Sequence, residues 1–179
     1  KNRQDSSGDR SEHVESISNG ATDASNVERL NRWNAALDMF AERPVFGHGP
    51  GTYSFLYAPY QHSNLLTIIS TNFGDGGNAH SEYFGPLAET GVLGLVTFLV
   101  LIFMFYYTAI PLYYKLEEQS TKLLNLGAIL GITTYLIHGF LNNFLDTDKA
   151  SVPFWGCFAI VVALDLYARK TKENTGIEV

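Results

Sequence analysis

The sequence predicts an all-α polytopic membrane protein fragment, with three transmembrane helices and a large extracytoplasmic helical loop domain. Residues 91–110 are 20 positions of almost unbroken apolar side chains, and further apolar stretches follow at 123–142 and 152–168. A helix rises about 1.5 Å per residue, so 20 residues span about 30 Å, the thickness of the hydrocarbon core of a bilayer. Buried helices of soluble proteins are seldom apolar on every face over such a length, which favours the membrane.

The overall composition conceals two unlike halves. The 179 residues have a net charge of −6 and a mean hydropathy near zero, as an acidic soluble protein would. Residues 1–89 contain six Lys and Arg against eleven Asp and Glu, whereas residues 90–179 contain six against seven. A strongly acidic half argues against nucleic acid as a partner, because phosphate binding needs a basic surface. The lone Cys157 gives no disulfide framework and no cysteine-based metal site, and we expect no cofactor.

The first half of the chain predicts a leader followed by a loop domain. Residues 1–24 are rich in Ser, Asp, Glu, Asn and Gly, which predicts a mobile polar segment. Ser25 and Glu28 have the spacing of a capping box, and they predict a helix that ends at Pro44. The apolar face of this helix consists of Leu30, Trp33, Leu37 and Phe40. A second helix is predicted to kink at Pro86 before it enters the bilayer.

The charges of the connecting segments predict the orientation. Two lysines, Lys115 and Lys122, flank the first loop, and the tail 169–179 begins with Arg169, Lys170 and Lys172. The loop 143–151 has one Lys against two Asp. The positive-inside rule places the first two segments in the cytoplasm and residues 1–88 outside it, so we expect a bacterial inner-membrane protein with a periplasmic loop domain. No signal peptide opens the chain, and we expect it to be the carboxy-terminal part of a longer multi-span protein. The predicted segments are the leader 1–24, the loop domain 25–88, the spans 89–114, 123–142 and 152–168, the loops 115–122 and 143–151, and the tail 169–179.

His80 is the candidate catalytic residue, because it lies at the predicted mouth of the first span, where a lipid-borne substrate would meet water. The ordinary pKa of an imidazole, about 6.5, suits a general base that takes a proton from an acceptor hydroxyl. Glu82 could support His80 by orienting or tuning the ring, although residues two apart on a helix do not face each other. The alternative is a histidine that caps a helix or is satisfied at the surface.

Arg29 and Arg32 are three residues apart in the predicted first helix, so both guanidinium groups can project from one turn. The functional interpretation is an anion-binding pair, since a planar guanidinium binds phosphate oxygens bidentately. Outside the cytoplasm there is no ATP to cleave, which favours a polyprenyl-linked sugar donor as the phosphate-bearing substrate. The alternative is two solvated charges on an amphipathic helix.

His138 and Asn142, together with Asn143, form a polar group toward the outer end of the second span. Polar residues inside a membrane face a bundle interior or a cavity. These side chains could therefore support the site or form hydrogen bonds between helices. The other histidines have no motif spacing with one another or with carboxylates, so no metal site is expected.

Two stretches of the chain carry motifs in a characteristic order. The first runs from Arg29 through Trp33 to the segment 43–51, Arg-Pro-Val-Phe-Gly-His-Gly-Pro-Gly. The second is His80-Ser81, then nine residues, then the segment 91–94, Gly-Val-Leu-Gly. The first resembles an arginine, tryptophan and Pro-x-x-Gly-x-Gly-Pro-Gly segment, and the second a histidine, Asn or Ser, nine residues, Gly-x-x-Gly pattern. Both patterns are those of the O-antigen ligase and polymerase superfamily of envelope polysaccharide enzymes.

The resemblance covers about residues 25–113, and it departs from the family at Leu95, where Gly, Thr or Tyr is usual. It implies a metal-independent, inverting membrane glycosyltransferase of lipopolysaccharide biosynthesis. Such an enzyme moves a glycan from an undecaprenyl (polyprenyl) diphosphate carrier to an acceptor outside the cytoplasmic membrane. The acceptor is the lipid A core in ligases, another repeat unit in polymerases and a protein hydroxyl in some relatives.

Carried onto this sequence, the resemblance implies that Arg29, with Arg32, binds the donor diphosphate and that His80 activates the acceptor hydroxyl. The partners would then be the lipid-linked glycan donor, the lipid A core or glycan acceptor, and the lipid bilayer. A fragment of this size is not expected to be active alone. The alternative from another class is a non-catalytic membrane transport or scaffold module, in which His80 and Arg29 are dispensable.

Overall fold

A computed structural model describes residues 24–67, 70 and 77–175 of the chain, with side chains up to residue 171. Over these residues every regular element is a helix, which confirms the predicted all-α class. The elements are α1 (Ala24–Glu42), α2 (Tyr53–Leu56), two 3₁₀ turns (Ala58–Tyr60 and Ser63–Leu65), α3 (Phe84–Lys115), α4 (Gln119–His138) and α5 (Asp148–Thr175). The predicted mobile leader lies outside the described residues, except that Ala24 is the first residue of α1.

The helices α3, α4 and α5 are each long and apolar enough to span a membrane. They pack around a common core of Ile102, Phe105, Ala109, Leu112, Leu116, Ala128, Ile132, Phe154, Val161 and Leu164. Many of their other large apolar side chains are exposed at the surface of the bundle. That is the pattern of helices surrounded by lipid, and the fold is that of a polytopic membrane protein.

The three long helices extend beyond or shift from the apolar stretches that predicted them. α3 begins at Phe84 rather than at residue 89, and α5 begins at Asp148 rather than at 152. α4 ends at His138 instead of 142, because the bonds beyond it are those of a turn: the N–H of Leu141 donates to the carbonyl of His138, three residues earlier, at 3.1 Å. Hydropathy marks only the apolar part of a span, whereas backbone hydrogen bonds continue the helix into polar sequence.

The break in the first span is at Gly91 and not, as predicted, at Pro86. Pro86 lies in the first turn of α3, where the N–H that proline lacks has no helical partner, so its ring is tolerated there. Gly91 has φ 68° and ψ −164°, a conformation that is essentially restricted to glycine. The break leaves the N–H of Val92 available to the preceding loop, where the carbonyl of Pro44 accepts it at 2.8 Å.

α1 buries a different face from the apolar one that its sequence predicts. The buried residues are Glu28, Asn31, Arg32, Ala35, Ala36 and Met39. Leu30 and Leu37 of the predicted apolar face are 45% and 41% exposed. The buried polar side chains have partners in the following loop: Oδ1 of Asn31, for example, accepts the N–H of His62 at 2.7 Å. Ser25 is the second residue of α1, so it is not the predicted N-cap.

The loop domain lies at the end of the bundle where α3 begins and α4 ends. The N–H of Glu82 donates to the carbonyl of Gly139 at 2.8 Å, and the hydroxyl of Tyr83 donates to the carbonyl of Leu136 at 3.0 Å. These bonds join the segment before α3 to the last turn of α4 and to the residue that follows it. The candidate site residues that precede the first span therefore stand at one end of the bundle, beside that turn.

Candidate functional site

His80 lies in a strained turn directly before the first span. Its φ is 47°, in the left-handed region that side chains other than glycine seldom adopt, and its N–H donates to Oδ1 of Asn78 at 3.1 Å. The next residue, Ser81, accepts the N–H groups of Tyr83 and Phe84 on its Oγ at 3.2 and 3.4 Å. This is the hydrogen bonding of a helix N-terminus. The backbone is thus held on both sides of His80, and the residue is half-buried.

Arg32 joins α1 to the turn that contains His80. Its Nε donates to Oε1 of Glu28 at 2.8 Å in a salt bridge, and its Nη1 donates to the carbonyl of Asn78 at 3.1 Å. The guanidinium also lies over the ring of Tyr57, 5.4 Å from its centroid. Arg32 is only 8% exposed. Its contacts hold the turn in place, and its charge acts on His80 from a buried position.

Arg29 lies on a more open part of α1. It is half-buried, and its Nη1 donates to Oδ1 of Asn26 at 3.3 Å within the same helix. Among the side chains that the structure describes, no carboxylate forms a salt bridge with Arg29. A guanidinium has five N–H donors, and this hydrogen bond engages one of them. Arg29 therefore has the donor capacity and the charge to bind an anion.

The two arginines and His80 form one electrostatic group. Burial lowers the pKa of His80 below its ordinary value of 6.5, and the positive charges of Arg32 and then Arg29 lower it further, against a smaller opposing effect of Glu28. Each lowering effect disfavours the imidazolium ion. The charges of both arginines thus act on His80, and they favour the neutral imidazole, which is the form that accepts a proton.

The carboxylate of Glu82 is bound elsewhere than to His80. Its Oε1 accepts the hydroxyl of Tyr135 at 2.5 Å and the N–H of Leu145 at 2.9 Å, and the residue is buried. Burial raises the pKa of the Glu82 carboxyl, and these hydrogen bonds oppose the rise. The expected support of His80 by Glu82 is therefore indirect at most: Glu82 fixes the start of the first span to the turn between α4 and α5.

Glu89 anchors the glycine-rich loop 47–51, a role that the sequence analysis missed. Its two carboxylate oxygens accept the N–H groups of Gly51 and Tyr53 at 2.9 and 3.0 Å. Its carbonyl accepts the N–H of Gly49 at 2.7 Å. The signal in the sequence was a carboxylate two residues before the glycine that interrupts the helix. Both motifs of the chain are consequently joined in space.

Two glycines allow this close approach of the loop to α3. A Cβ atom on Gly47 would lie 2.4 Å from the carbonyl group of Glu89, and one on Gly91 would lie 2.4 Å from the carbonyl oxygen of Val45. Backbone atoms cannot move aside as a flexible side chain can. Both glycines also have positive φ, 65° and 68°. The glycines of the two motifs therefore hold two backbones together.

A cavity of about 360 Å³ opens beside the His80 turn. The polar part of its lining includes the carboxylates of Glu82, Glu89 and Asp146 and the amides of Asn78 and Asn143. His80, Arg29 and Arg32 lie outside this lining. Three carboxylates disfavour a phosphate group in the cavity.

Comparison with known proteins identifies the family. A family model described as O-antigen ligase matches residues 4–99, which is more than half of the 179 residues. The chain belongs to the O-antigen ligase family. A Haemophilus influenzae (strain Rd) protein, described as uncharacterized, is 22% identical to it over 140 residues, which are 74% of this chain and 33% of that protein. The chain spans about a third of the length of this relative. No solved structure matches the chain.

The O-antigen ligase family match includes the loop domain, the His80 turn and the first part of α3. It confirms the predicted membership of this superfamily, whose proteins are glycosyltransferase-like membrane enzymes. Arg29, His80 and Gly91 all fall inside the matched residues. The sequence motifs, the family match and the electrostatic group thus coincide in one part of the chain.

The other two predicted support residues of this O-antigen ligase family protein lie at the end of α4. His138 is exposed, with its ring 5.6 Å from that of Phe144, and Asn142 is half-buried in the turn rather than in the span. No hydrogen bond joins either side chain to His80 or Arg29 within the described part of the chain. Over the same residues no three His, Cys, Asp or Glu side chains are grouped so that they could hold a metal ion.

Proposed function

We propose that the protein is a membrane glycosyltransferase that moves a glycan from a polyprenyl (undecaprenyl) diphosphate carrier to an acceptor hydroxyl at the periplasmic face of the bacterial inner membrane. The proposed transfer is ligation of O-antigen to the lipid A core in lipopolysaccharide biosynthesis. The observation that carries the proposal is the site itself. The His80 imidazole, whose neutral form is favoured by two nearby guanidinium groups, lies at the start of a span in a member of the O-antigen ligase family.

His80 acts as the general base of this reaction. The acceptor hydroxyl gives its proton to the imidazole as its oxygen forms a bond to the anomeric carbon of the donor sugar. The bond between that carbon and the diphosphate oxygen breaks, and the diphosphate leaves on its polyprenyl chain with the electron pair. Attack from the face opposite the diphosphate inverts the anomeric configuration. A positioned general base typically contributes about 10²–10⁴-fold to a rate.

Arg29 binds the donor diphosphate and stabilises the charge that develops as it leaves. Its guanidinium is the more accessible of the pair, and no described carboxylate neutralises it. Fixed positive groups at the leaving oxygen stabilise the transition state without reorganisation of water. Arg32 contributes its charge from a buried position, and its hydrogen bond to the Asn78 carbonyl supports the His80 turn.

The chemistry of these residues requires no metal ion or cofactor, because proton transfer and charge stabilisation are both supplied by side chains. The same chemistry would serve a repeat-unit polymerase or a protein O-oligosaccharyltransferase of the superfamily. These differ from a ligase in the acceptor, which the described residues do not specify. In a ligase-deficient cell, bare lipid A core coexists with polymer on its carrier, whereas a polymerase-deficient cell attaches one repeat.

The test is complementation by the complete protein with His80→Ala or Arg29→Ala, read as lipopolysaccharide length on a gel. We expect both variants to lose glycan transfer at normal protein levels. His62→Ala and Arg43→Ala are the matched controls, since His62 pairs with Asp38 at the surface and Arg43 is exposed, and both should retain transfer. Full transfer by His80→Ala and Arg29→Ala would instead support a non-catalytic transport or scaffold module.

A further inference from the structure

Val45 and Phe46, in the turn after α1, are large apolar side chains that the loop domain does not bury. Val45 is 47% exposed and Phe46 is 75% exposed, and neither belongs to the core of the loop domain. With Pro44 they form what we call the 44–46 tip. Single exposed apolar residues are ordinary on protein surfaces, but a contiguous apolar surface indicates an interaction site. The neighbours of the tip therefore decide what it contacts.

Backbone contacts hold the 44–46 tip against the first span. The carbonyl of Pro44 accepts the N–H of Val92 at 2.8 Å. A Cβ atom on Gly91 would lie 2.4 Å from the carbonyl oxygen of Val45 and 2.8 Å from the nitrogen of Phe46. The tip is thus packed against α3 at the break, which is also where the uninterrupted apolar run of the span begins.

A row of exposed apolar side chains starts at the same point and runs along α3. Its members are Val92, Val96, Leu99, Phe103 and Tyr107, at successive spacings of 4, 3, 4 and 4. Such spacings place side chains on one face of a helix. On a membrane-spanning helix, an apolar face that α4 and α5 leave exposed is available to lipid. The 44–46 tip continues this lipid-facing row at the end nearest the loop domain.

We infer that the 44–46 tip inserts into the bilayer, at the boundary between headgroups and acyl chains, and that lipid is the partner of Val45 and Phe46. The continuity of the tip with the lipid-facing row of α3 favours lipid over a protein partner. Apolar side chains at that boundary leave water without crossing the membrane. The loop after the tip is bound to Glu89, so the lipid contact would fix the height of the loop domain above the bilayer.

The test is site-directed spin labelling of the complete protein in phosphatidylethanolamine and phosphatidylglycerol vesicles, with native cysteines replaced by serine. One nitroxide is attached at a time, at Phe46→Cys, at Val96→Cys as the lipid reference, or at Asn64→Cys as the reference in the exposed loop domain. Power saturation then compares collisions with oxygen, which concentrates in the bilayer, and with a neutral nickel chelate, which stays in water. We expect position 46 to resemble 96, with the oxygen-to-nickel accessibility ratio several-fold higher than at 64.

Two outcomes would overturn the inference. A label at position 46 that collides chiefly with the nickel chelate, as at 64, would place the tip in water. A label that collides little with either reagent would show that a protein segment covers the tip. Val45→Cys provides a second position with the same expected result, should Phe46→Cys fail to fold. None of these readouts depends on glycan transfer, so they test the tip separately from the proposed function.

Discussion

Burial and the two positive charges of Arg32 and Arg29 all lower the pKa of His80, which has both a disadvantage and an advantage for a general base. A base with a lowered pKa binds its proton less strongly, so it drives proton abstraction less. In exchange it is in the neutral, proton-accepting form over a wider range of pH, and the guanidinium groups that favour this form are those proposed to bind the diphosphate donor. Binding of the anionic donor would offset part of the arginine charge and so raise the pKa of His80 when substrate is present.

The pH dependence of His80 should reveal its neighbours. Diethyl pyrocarbonate attacks neutral imidazole, so in the unliganded protein the modification rate at His80 should reach half its maximum at a pH below 6.5. Arg29→Gln removes a charge that lowers the pKa, and the half-point should therefore move to higher pH. Mass spectrometry of the peptide containing residue 80 provides the measurement independently of activity.

Arg29→Lys is the control for this titration, because it keeps the positive charge while it removes the planar guanidinium. It should leave the half-point near that of the unchanged protein. A half-point at or above 6.5 before substitution, or the same half-point in Arg29→Gln as in Arg29→Lys, would contradict the electrostatic coupling of these two residues.

The break in α3 is what joins the loop domain to the bundle. An unbroken helix would use the carbonyls and N–H groups around Gly91 internally, and the loop 43–51 would then lose its backbone partners. Because the break is there, Val92 donates to Pro44 and the Glu89 carbonyl accepts from Gly49. A helix interruption at this point therefore provides an attachment for a loop, and the family motifs coincide with it.

Gly91→Ala should weaken this attachment. The conformation of Gly91 would cost an alanine about 1–3 kcal/mol, and its Cβ would also clash with the Val45 carbonyl at 2.4 Å. We expect the protein in detergent to unfold at a lower temperature and to lose glycan transfer. Gly85→Ala is the control in the same helix, because its Cβ would meet only the Ala79 Cβ at an ordinary 3.7 Å. Equal unfolding temperatures for the two variants would show that the break is not needed.

Apolar composition was enough to predict the three spans, because a helix that crosses a bilayer must be predominantly apolar along its length. The sequence placed the break at Pro86 because proline usually interrupts a helix, but a proline in the first turn does not. Glycine is needed at position 91 instead, because the loop that contains Val45 packs against its backbone. The buried face of α1 was also predicted wrongly, because partners elsewhere in the chain decide which side chains are buried. Glu28 and Arg32 are polar, yet they pair with each other at 2.8 Å. The Ser70 hydroxyl also donates to Glu28, and the Asn78 carbonyl accepts from Arg32, which allows their burial.

The motifs indicate candidate site residues, His80 and Arg29 among them, but they do not predict the contacts of those residues. In the structure the charge of Arg29 acts on the His80 imidazole. Local spacing could not show that Glu82 bonds to Tyr135 and Leu145, which are more than fifty positions later in the chain. Such pairings depend on how α4 packs beside the start of α3, and no single segment contains that information.

The bonds of Glu82 also determine how the molecule behaves as a whole. Through Tyr135 and Leu145 the carboxylate joins the start of the first span to the turn between the second and third. The Glu82 N–H adds a bond to the carbonyl of Gly139. The His80 turn is consequently fixed to α4 and to the turn that follows it, as well as to α3, so its orientation across the membrane follows that of the bundle.

The orientation of the bundle can be measured at two exposed loop positions that lie at its opposite ends, Asn64 and Glu117. Lysines flank the α3–α4 loop and basic residues follow α5, and these charges favour the cytoplasmic side. In spheroplasts we expect a membrane-impermeant maleimide to label Asn64→Cys from outside, and to label Glu117→Cys only after the membrane is permeabilised. The reverse pattern would put His80 in the cytosol, where a donor facing the periplasm could not reach it, and the proposed transfer reaction would then fail along with the predicted orientation.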